Sequence, residues 1–427
     1  MIARALAPLA REAAIQEEFR YPPPELGPDY VEPATAFPPY REILPPLADA
    51  IVLAAALVAA AWLVHRRRSR AGLLALAIAG LVWFGFVREG CVCPIGSVQN
   101  VAAALADPTA ALLPATVLFF VLPLLATLLW GRVFCAAVCP LGAIQEVVLL
   151  RPTRLPAWLG AGLALLPHVY LALAALFAAT GAGYVICRYD PFVGFFRLGA
   201  TANMLVVGGC LLAIGVFVGR PYCRFLCPYG VLLGWLARLA RRRVTITPEG
   251  CAACRLCEET CPYDAITEPN AEAVRARRQG GRRALVAALV FAPLLVGALA
   301  WCGARLGPTL AESHPRVALA AQVAAEEAGA VRETTDASDV FRASGESIES
   351  LRAEAAAKRR EFLAGGALAG AFVGAMIALR LVGFSIRRTR IEYEAHREGC
   401  LACGRCFDWC PVELERRRTG IAPEVHP

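Results

Sequence analysis

Apolar and polar positions in this chain change in blocks. Long apolar stretches recur, and each closes on a knot of arginines or on a cysteine–proline turn. A helix of about 20 residues crosses the ~30 Å hydrocarbon core of a bilayer. Seven such spans are predicted: about Leu47–Val64, Ala71–Val87, Leu112–Trp130, Trp158–Thr180, Thr201–Val218, Ala284–Ala304 and Leu363–Gly383. Residues 1–45 are polar, proline-rich and aperiodic, and Met1–Arg20 has no apolar core of a signal peptide. Between the last two spans, Ala318–Ala328 and Ser350–Phe362 are rich in Ala and Glu and read as helical.

Arginines orient these spans. His65-Arg-Arg-Arg-Ser-Arg70, Arg151 with Arg154, Arg238–Arg243, Arg275–Arg283 and Ile386–Arg390 all fall on one side if the N-terminus lies outside. Basic loops stay cytoplasmic, so that side is the cytoplasm. Two C-x2-C-x2-C-x3-C-P runs, Cys251–Pro262 and Cys400–Pro411, have the bacterial ferredoxin spacing and fall on this inner side, so the expected fold is an all-α polytopic membrane protein of about seven transmembrane helices, N-terminus out and C-terminus in, with a small split ferredoxin-like module inside. Its parts are an extracytoplasmic tail (1–45), a five-helix membrane core with Cys-Pro motifs (46–243), a first ferredoxin half (244–270), a sixth transmembrane helix (284–304), an extracytoplasmic segment (305–362), a seventh transmembrane helix (363–385), and a second ferredoxin half with a tail (391–427). Gly366, Gly370 and Gly374 form a small-residue face on the last span, suited to close helix packing.

Composition agrees with this picture. The 427 residues are 58% hydrophobic with mean hydropathy +0.53, beyond a soluble domain. The net charge of +8 comes from arginines flanking apolar spans, which is a membrane pattern and not a nucleic-acid one. The chain has 17 cysteines, too many and too regularly placed to be ordinary core residues.

Eight of them form two runs, Cys251-x2-Cys254-x2-Cys257-x3-Cys261-Pro262 and Cys400-x2-Cys403-x2-Cys406-x3-Cys410-Pro411. This is the bacterial ferredoxin spacing, in which the fourth cysteine ligates the other cluster. The expected [4Fe–4S] ligand sets are therefore crossed. Cys251, Cys254 and Cys257 take Cys410; Cys400, Cys403 and Cys406 take Cys261. A zinc site or disulfides are the alternatives.

Cysteine–proline elements form a second pattern: Cys93-Pro-Ile-Gly96, Cys139-Pro-Leu-Gly142 and Cys227-Pro-Tyr-Gly230. Ile95-Gly-Ser-Val-Gln99 echoes Leu141-Gly-Ala-Ile-Gln145, which suggests an internal duplication. On the inner side Cys135, Cys139, Cys223 and Cys227 can hold a further iron or copper site; the alternative is reduced thiols packed at helix ends. On the outer side Cys91, Cys93 and Cys187 are candidate redox thiols. Cys210 and Cys302 lie within spans and read as small apolar residues. His168, within the fourth span, either meets a quinone or packs through a hydrogen bond. Asp190 and Arg197 are expected to pair or cap.

Together, Cys91–Gln99, Cys135–Gln145, Cys187–Phe192, Cys223–Gly230 and the two ferredoxin runs resemble the polyferredoxin membrane proteins of the NosR/NapH type, over about residues 20–411. That resemblance implies two cytoplasmic [4Fe–4S] clusters and a bacterial inner-membrane location. It also implies electron transfer, without substrate turnover by the chain itself, between a quinone or cytoplasmic donor and a periplasmic reductase system such as that for nitrous oxide. The partners expected are the membrane, quinone, and a periplasmic acceptor or a flavin or cytochrome subunit, with no nucleic acid. NosR-like members carry a flavin domain ahead of the first span, for which the 45 residues here are too few. FMN is therefore expected only through a partner subunit. The other functional class implied is an assembly or redox-sensing factor for a metalloenzyme such as a copper oxidase.

Overall fold

A computed structural model describes residues 46–90, 94–107, 112–246, 251, 253–270, 278–331, 333–385, 390 and 392–419. Cys91 and Cys93, the tail 1–45 and most of Ile386–Arg390 lie outside them. Among the described residues five helices are long and apolar enough to cross a membrane: Leu47–Arg67, Arg70–Val87, Ala157–Ala179, Arg283–Ala311 and Ile348–Ser385.

Two of the seven expected spans come out shorter. Pro114–Trp130 has 17 residues and Ala202–Gly215 has 14. The reason is local. The first stops at Gly131, whose φ of +75° ends the helix. The second unwinds ahead of Arg220, which has φ +47°. After each stop the chain makes a short helix, Val133–Ala137 or Pro221–Phe225, and then a Cys-Pro helix, Pro140–Val147 or Pro228–Arg238. The apolar windows of the sequence include these turns, so hydropathy alone overstates both helices. The fourth span is also interrupted, at Ala164–Leu165, just before Pro167.

The last two spans are longer than expected. They form a hairpin of two helices, Arg278–Ala311 and Ile348–Ser385, whose backbones nearly touch. A Cβ on Gly374 would stand 2.9 Å from Val296 Cα, and Cβ atoms on Gly303, Gly307, Gly366 and Gly370 would come closer still to opposing backbone. Only glycine permits that approach. Beyond the hairpin, helices Pro315–Glu327 and Asp336–Ala343 pack on the start of Ile348–Ser385 around Val317, Val323, Phe341 and Leu351. Arg316 joins this cap to Glu346 at 2.6 Å and Glu354 at 2.7 Å.

The two ferredoxin halves meet through a two-residue antiparallel ladder. Strand β1 (Ile266–Thr267) pairs Ile266 with Ala395 and Thr267 with Glu394 of β2 (Glu394–Ala395). The joined module sits on the turn of the first helical hairpin. Buried Arg68 donates to Ile246 O at 2.6 Å, pairs with Glu413 at 2.9 Å, and lies 4.1 Å over the Phe407 ring. At Gly219 a Cβ would stand 2.6 Å from Pro262 O, so module and core are in backbone contact.

Candidate iron–sulfur site

The hairpin that separates the ferredoxin runs in sequence returns the chain to the same end of the bundle, so the runs can interleave. Two hollows result. One is lined by Cys251, Cys254, Cys257 and Cys410 with Ile246 and Tyr393. The other is lined by Cys261, Cys400, Cys403 and Cys406 with Pro262, Gly404 and Arg405. Each hollow thus takes three cysteines from one run and the fourth from the other. Gly404, Ala253, Arg255 and Ala402 have positive φ, which curls the backbone around the sulfurs.

Burial raises these thiols: Cys257 and Cys400 to about 11, Cys403 to about 12. Neighbouring cysteines add to the effect. A metal group that binds thiolates must therefore displace protons here. Among the described residues, no three Cys, His, Asp or Glu side chains converge as a single ion requires. The donors ring a space instead of a point. Four soft thiolates around a hollow suit an iron–sulfur cube.

Cys135, Cys139, Cys223 and Cys227 are all buried in one core and lie within electrostatic reach of one another. The Cys-Pro-x-Gly sequence explains their setting. Cys227 is the N-cap of helix Pro228–Arg238, proline opens the first turn, and the Gly230 N–H donates to Cys227 Sγ at 3.3 Å. Cys139 takes the same N-cap place ahead of helix Pro140–Val147. Gln145 donates to Cys223 Sγ at 3.4 Å, and Arg132 Nη2 reaches Cys135 Sγ at 3.7 Å. Hydrogen bonds of this kind stabilise charge on sulfur.

Sequence reading missed the groups between this quartet and the nearer ferredoxin hollow. Glu146 is buried and accepts from Arg405 at 2.8 and 3.1 Å, Arg220 at 3.2 Å and Tyr263 OH at 2.5 Å. Burial alone would raise its carboxyl, but Arg220, Arg405 and the Tyr263 hydrogen bond bring it down to about 2. A signal was present: Gly131-Arg132 and Gly219-Arg220 precede the two C-x3-C-P motifs at the same offset. Read singly, each arginine passes for a topology charge.

On the other flank of the quartet, Tyr222 OH donates to Asp190. Asp190 also accepts the Phe192 N–H at 2.9 Å, as a cap would. Arg197 Nε donates to Glu89 O at 3.4 Å. Cys187 is exposed, and Gln99 donates to its sulfur at 3.6 Å. His168 bonds Ala164 O at 3.2 Å and packs near Trp235 and Phe372. Cys210 and Cys302 are exposed on the apolar helices.

A family model described as "4Fe-4S binding domain" matches residues 112–157 and 200–247. These segments are the two Cys-Pro repeats, each matching the same domain. Protein NirI of Paracoccus denitrificans (strain Pd 1222) is 30% identical over 217 residues, 47% of this chain and 31% of its own length. Regulatory protein NosR of Pseudomonas aeruginosa is 29% identical over 222 residues, 47% of this chain and 30% of its own. YccM of Escherichia coli (strain K12), whose name describes electron transport, is 30% identical over 165 residues, 35% of this chain and 46% of its own. The chain spans less than half the length of these three relatives. No solved structure matches it significantly. In its paired Cys-Pro repeats, each matching a 4Fe-4S binding domain, and in its apolar helices, this chain is similar to NosR, NirI and the methylamine utilization ferredoxin-type protein MauN.

Proposed function

We infer that this chain carries single electrons through a bacterial inner membrane, between a cytoplasmic or quinol donor and an acceptor on the periplasmic face. The observation that carries this reading is the unbroken contact from the ferredoxin hollow through Arg405, Glu146 and Arg220 to Cys135. Cytoplasmic clusters alone leave a ~30 Å bilayer uncrossed. The buried quartet supplies the next stop. Cys251, Cys254, Cys257 and Cys410 would hold one [4Fe–4S] cluster, Cys261, Cys400, Cys403 and Cys406 a second, and Cys135, Cys139, Cys223 and Cys227 a third metal group. Each would accept and return one electron when bound. The protein's own part is to keep water from the sulfurs, direct N–H donors at them, and hold the two modules in fixed contact.

Charge supports a cytoplasmic orientation for the module. Arg68, Arg154, Arg238 and Arg224 all contact its segments, so the basic loops and the ferredoxin runs share one face. Basic loops face the cytoplasm. Reporter fusions after Pro262 and after Pro411 should both read cytoplasmic. One inside and one outside would remove the paired clusters.

Iron and acid-labile sulfide on anaerobically purified protein test the count. More than about eight of each per chain is expected; eight leaves the inner quartet without iron. A second reading, an assembly or redox-sensing factor, is favoured by one observation, the exposed Cys187 thiol. Rapid reduction of the clusters by a quinol supports electron transfer, and its absence supports the second reading. NosR is named a regulatory protein, which keeps that comparison pertinent. A flavin or cytochrome subunit would serve as the periplasmic partner in the first case.

A further inference from the structure

The two Gly-Arg pairs cross over. Arg132 opens the first repeat. Its Nη2 lies 3.7 Å from Cys135 Sγ and 3.4 Å from where a Cβ on Gly230 of the second repeat would stand. Its Nη1 donates to Glu398 O at 2.9 Å. Arg220 opens the second repeat. It donates to Cys135 O and, at 3.2 Å, to Ala136 O of the first repeat, while its Nε holds Glu146 at 3.2 Å. Glu398 lies just ahead of Cys400, and Arg405, the other partner of Glu146, lies between Cys403 and Cys406. Each arginine therefore touches the inner quartet with one edge and reaches the second ferredoxin run with the other, directly or through Glu146. Both are buried, and Arg132 Nε is a buried donor with no acceptor among the described residues.

We propose that Arg132 and Arg220 are positioning residues shared by two redox sites, so that charge arriving at the inner quartet changes the electron affinity of the Cys261, Cys400, Cys403 and Cys406 site, and the reverse. The inference rests on the inner quartet holding a metal group. Fixed cations in a buried, weakly screened position favour the reduced, more negative form of each site. An electron that settles at one site adds a negative charge beside the shared arginines, and its field offsets part of theirs at the other site. The coupling is reciprocal, as any linkage between two binding equilibria must be. For one electron passing between the sites, the donor is oxidised by one and the acceptor reduced by one. No bond breaks and no proton moves, because Glu146 stays ionised between its guanidinium partners.

The sign of the effect separates this role from a merely structural clamp. Removing a positive charge lowers the reduction potential; removing the Glu146 charge raises it. A loosened contact between module and core moves both variants the same way. The experiment is an EPR-monitored redox titration of the anaerobically purified full chain, comparing wild type with Arg220→Gln, Arg132→Gln, Glu146→Gln and the charge-keeping Arg220→Lys. Arg220→Gln and Arg132→Gln should shift both sites about tenfold toward the oxidised form, which is about 59 mV for a one-electron couple. Glu146→Gln should shift them the other way, and Arg220→Lys should stay close to wild type. Unmoved potentials, or shifts of one sign in all variants, overturn the proposal. Iron analysis of the same samples keeps the two readings apart. About twelve iron atoms with unmoved potentials overturns the coupling and leaves the inner metal group standing, whereas about eight with no bound copper overturns both.

Discussion

The inner and outer cysteine sites are built on the same glutamine latch but present their thiols differently. In the inner site Gln145 accepts the Tyr222 N–H at 3.0 Å and donates to Cys223 Sγ at 3.4 Å. In the outer site Gln99 accepts the Ile186 N–H at 2.6 Å and donates to Cys187 Sγ at 3.6 Å. Gln99 follows Cys93 at the spacing at which Gln145 follows Cys139. The difference begins one turn later. The inner motif continues to Cys227-Pro four residues after Cys223, whereas the outer one continues to Asp190-Pro three residues after Cys187, so there a carboxylate and not a thiol precedes the proline. The inner thiols are buried and Cys187 is exposed. Four buried soft ligands suit a metal group, while an exposed thiol beside a carboxylate suits exchange with a partner. Tyr222 ties the two together, since its neighbour is Cys223 and its hydroxyl bonds Asp190.

The comparison breaks most sharply at the thiols themselves. Cys135→Ser or Cys223→Ser should remove about four iron atoms per chain and one EPR centre, while Cys187→Ser leaves the iron count as it was. Equal loss from both would merge the two sites into one. The latches come next. Gln145→Leu strands the Tyr222 N–H and takes a donor from Cys223, at a cost of about 2 kcal/mol in thermal stability in detergent. Gln99→Leu strands the Ile186 N–H, and a cost of about 1 kcal/mol is expected because the adjoining thiol is less enclosed than Cys223. A larger loss at Gln99 than at Gln145 would reverse the ranking of the two sites. The smallest effect is expected from Asp190→Asn, which weakens a cap and the Tyr222 contact by about 1 kcal/mol or less without changing iron content. Loss of iron in that variant would make the carboxylate a ligand, not a capping group.

The ferredoxin hollows were legible because their information is local: two-residue gaps and a displaced fourth cysteine specify the crossing whatever lies between. The close-packed hairpin was legible on one face, since Gly366, Gly370 and Gly374 recur in register, but the answering Gly303 and Gly307 do not stand out in their own helix. The third and fifth spans were overread because Pro114–Trp130 and Ala202–Gly215 run into apolar cysteine turns that hydropathy cannot tell from helix. Glu146, Tyr263 and Arg405 were invisible as a group. They lie far apart in the chain and meet only when the module docks, and a lone acidic residue in an apolar stretch does not name its partners. Asp190 was readable as a cap because it immediately precedes a proline that opens a helix.

The interleaving of the two runs has a consequence for how the protein is made. The helical hairpin is translated between them, so a nascent chain that has emerged only as far as Cys261 offers neither hollow its full set of ligands. Iron would be locked in only after the last helix has threaded into the bilayer and Cys410 has cleared the ribosome. Colour in this protein would then report finished insertion, and a truncated or inverted chain would stay pale however much iron the cell supplied.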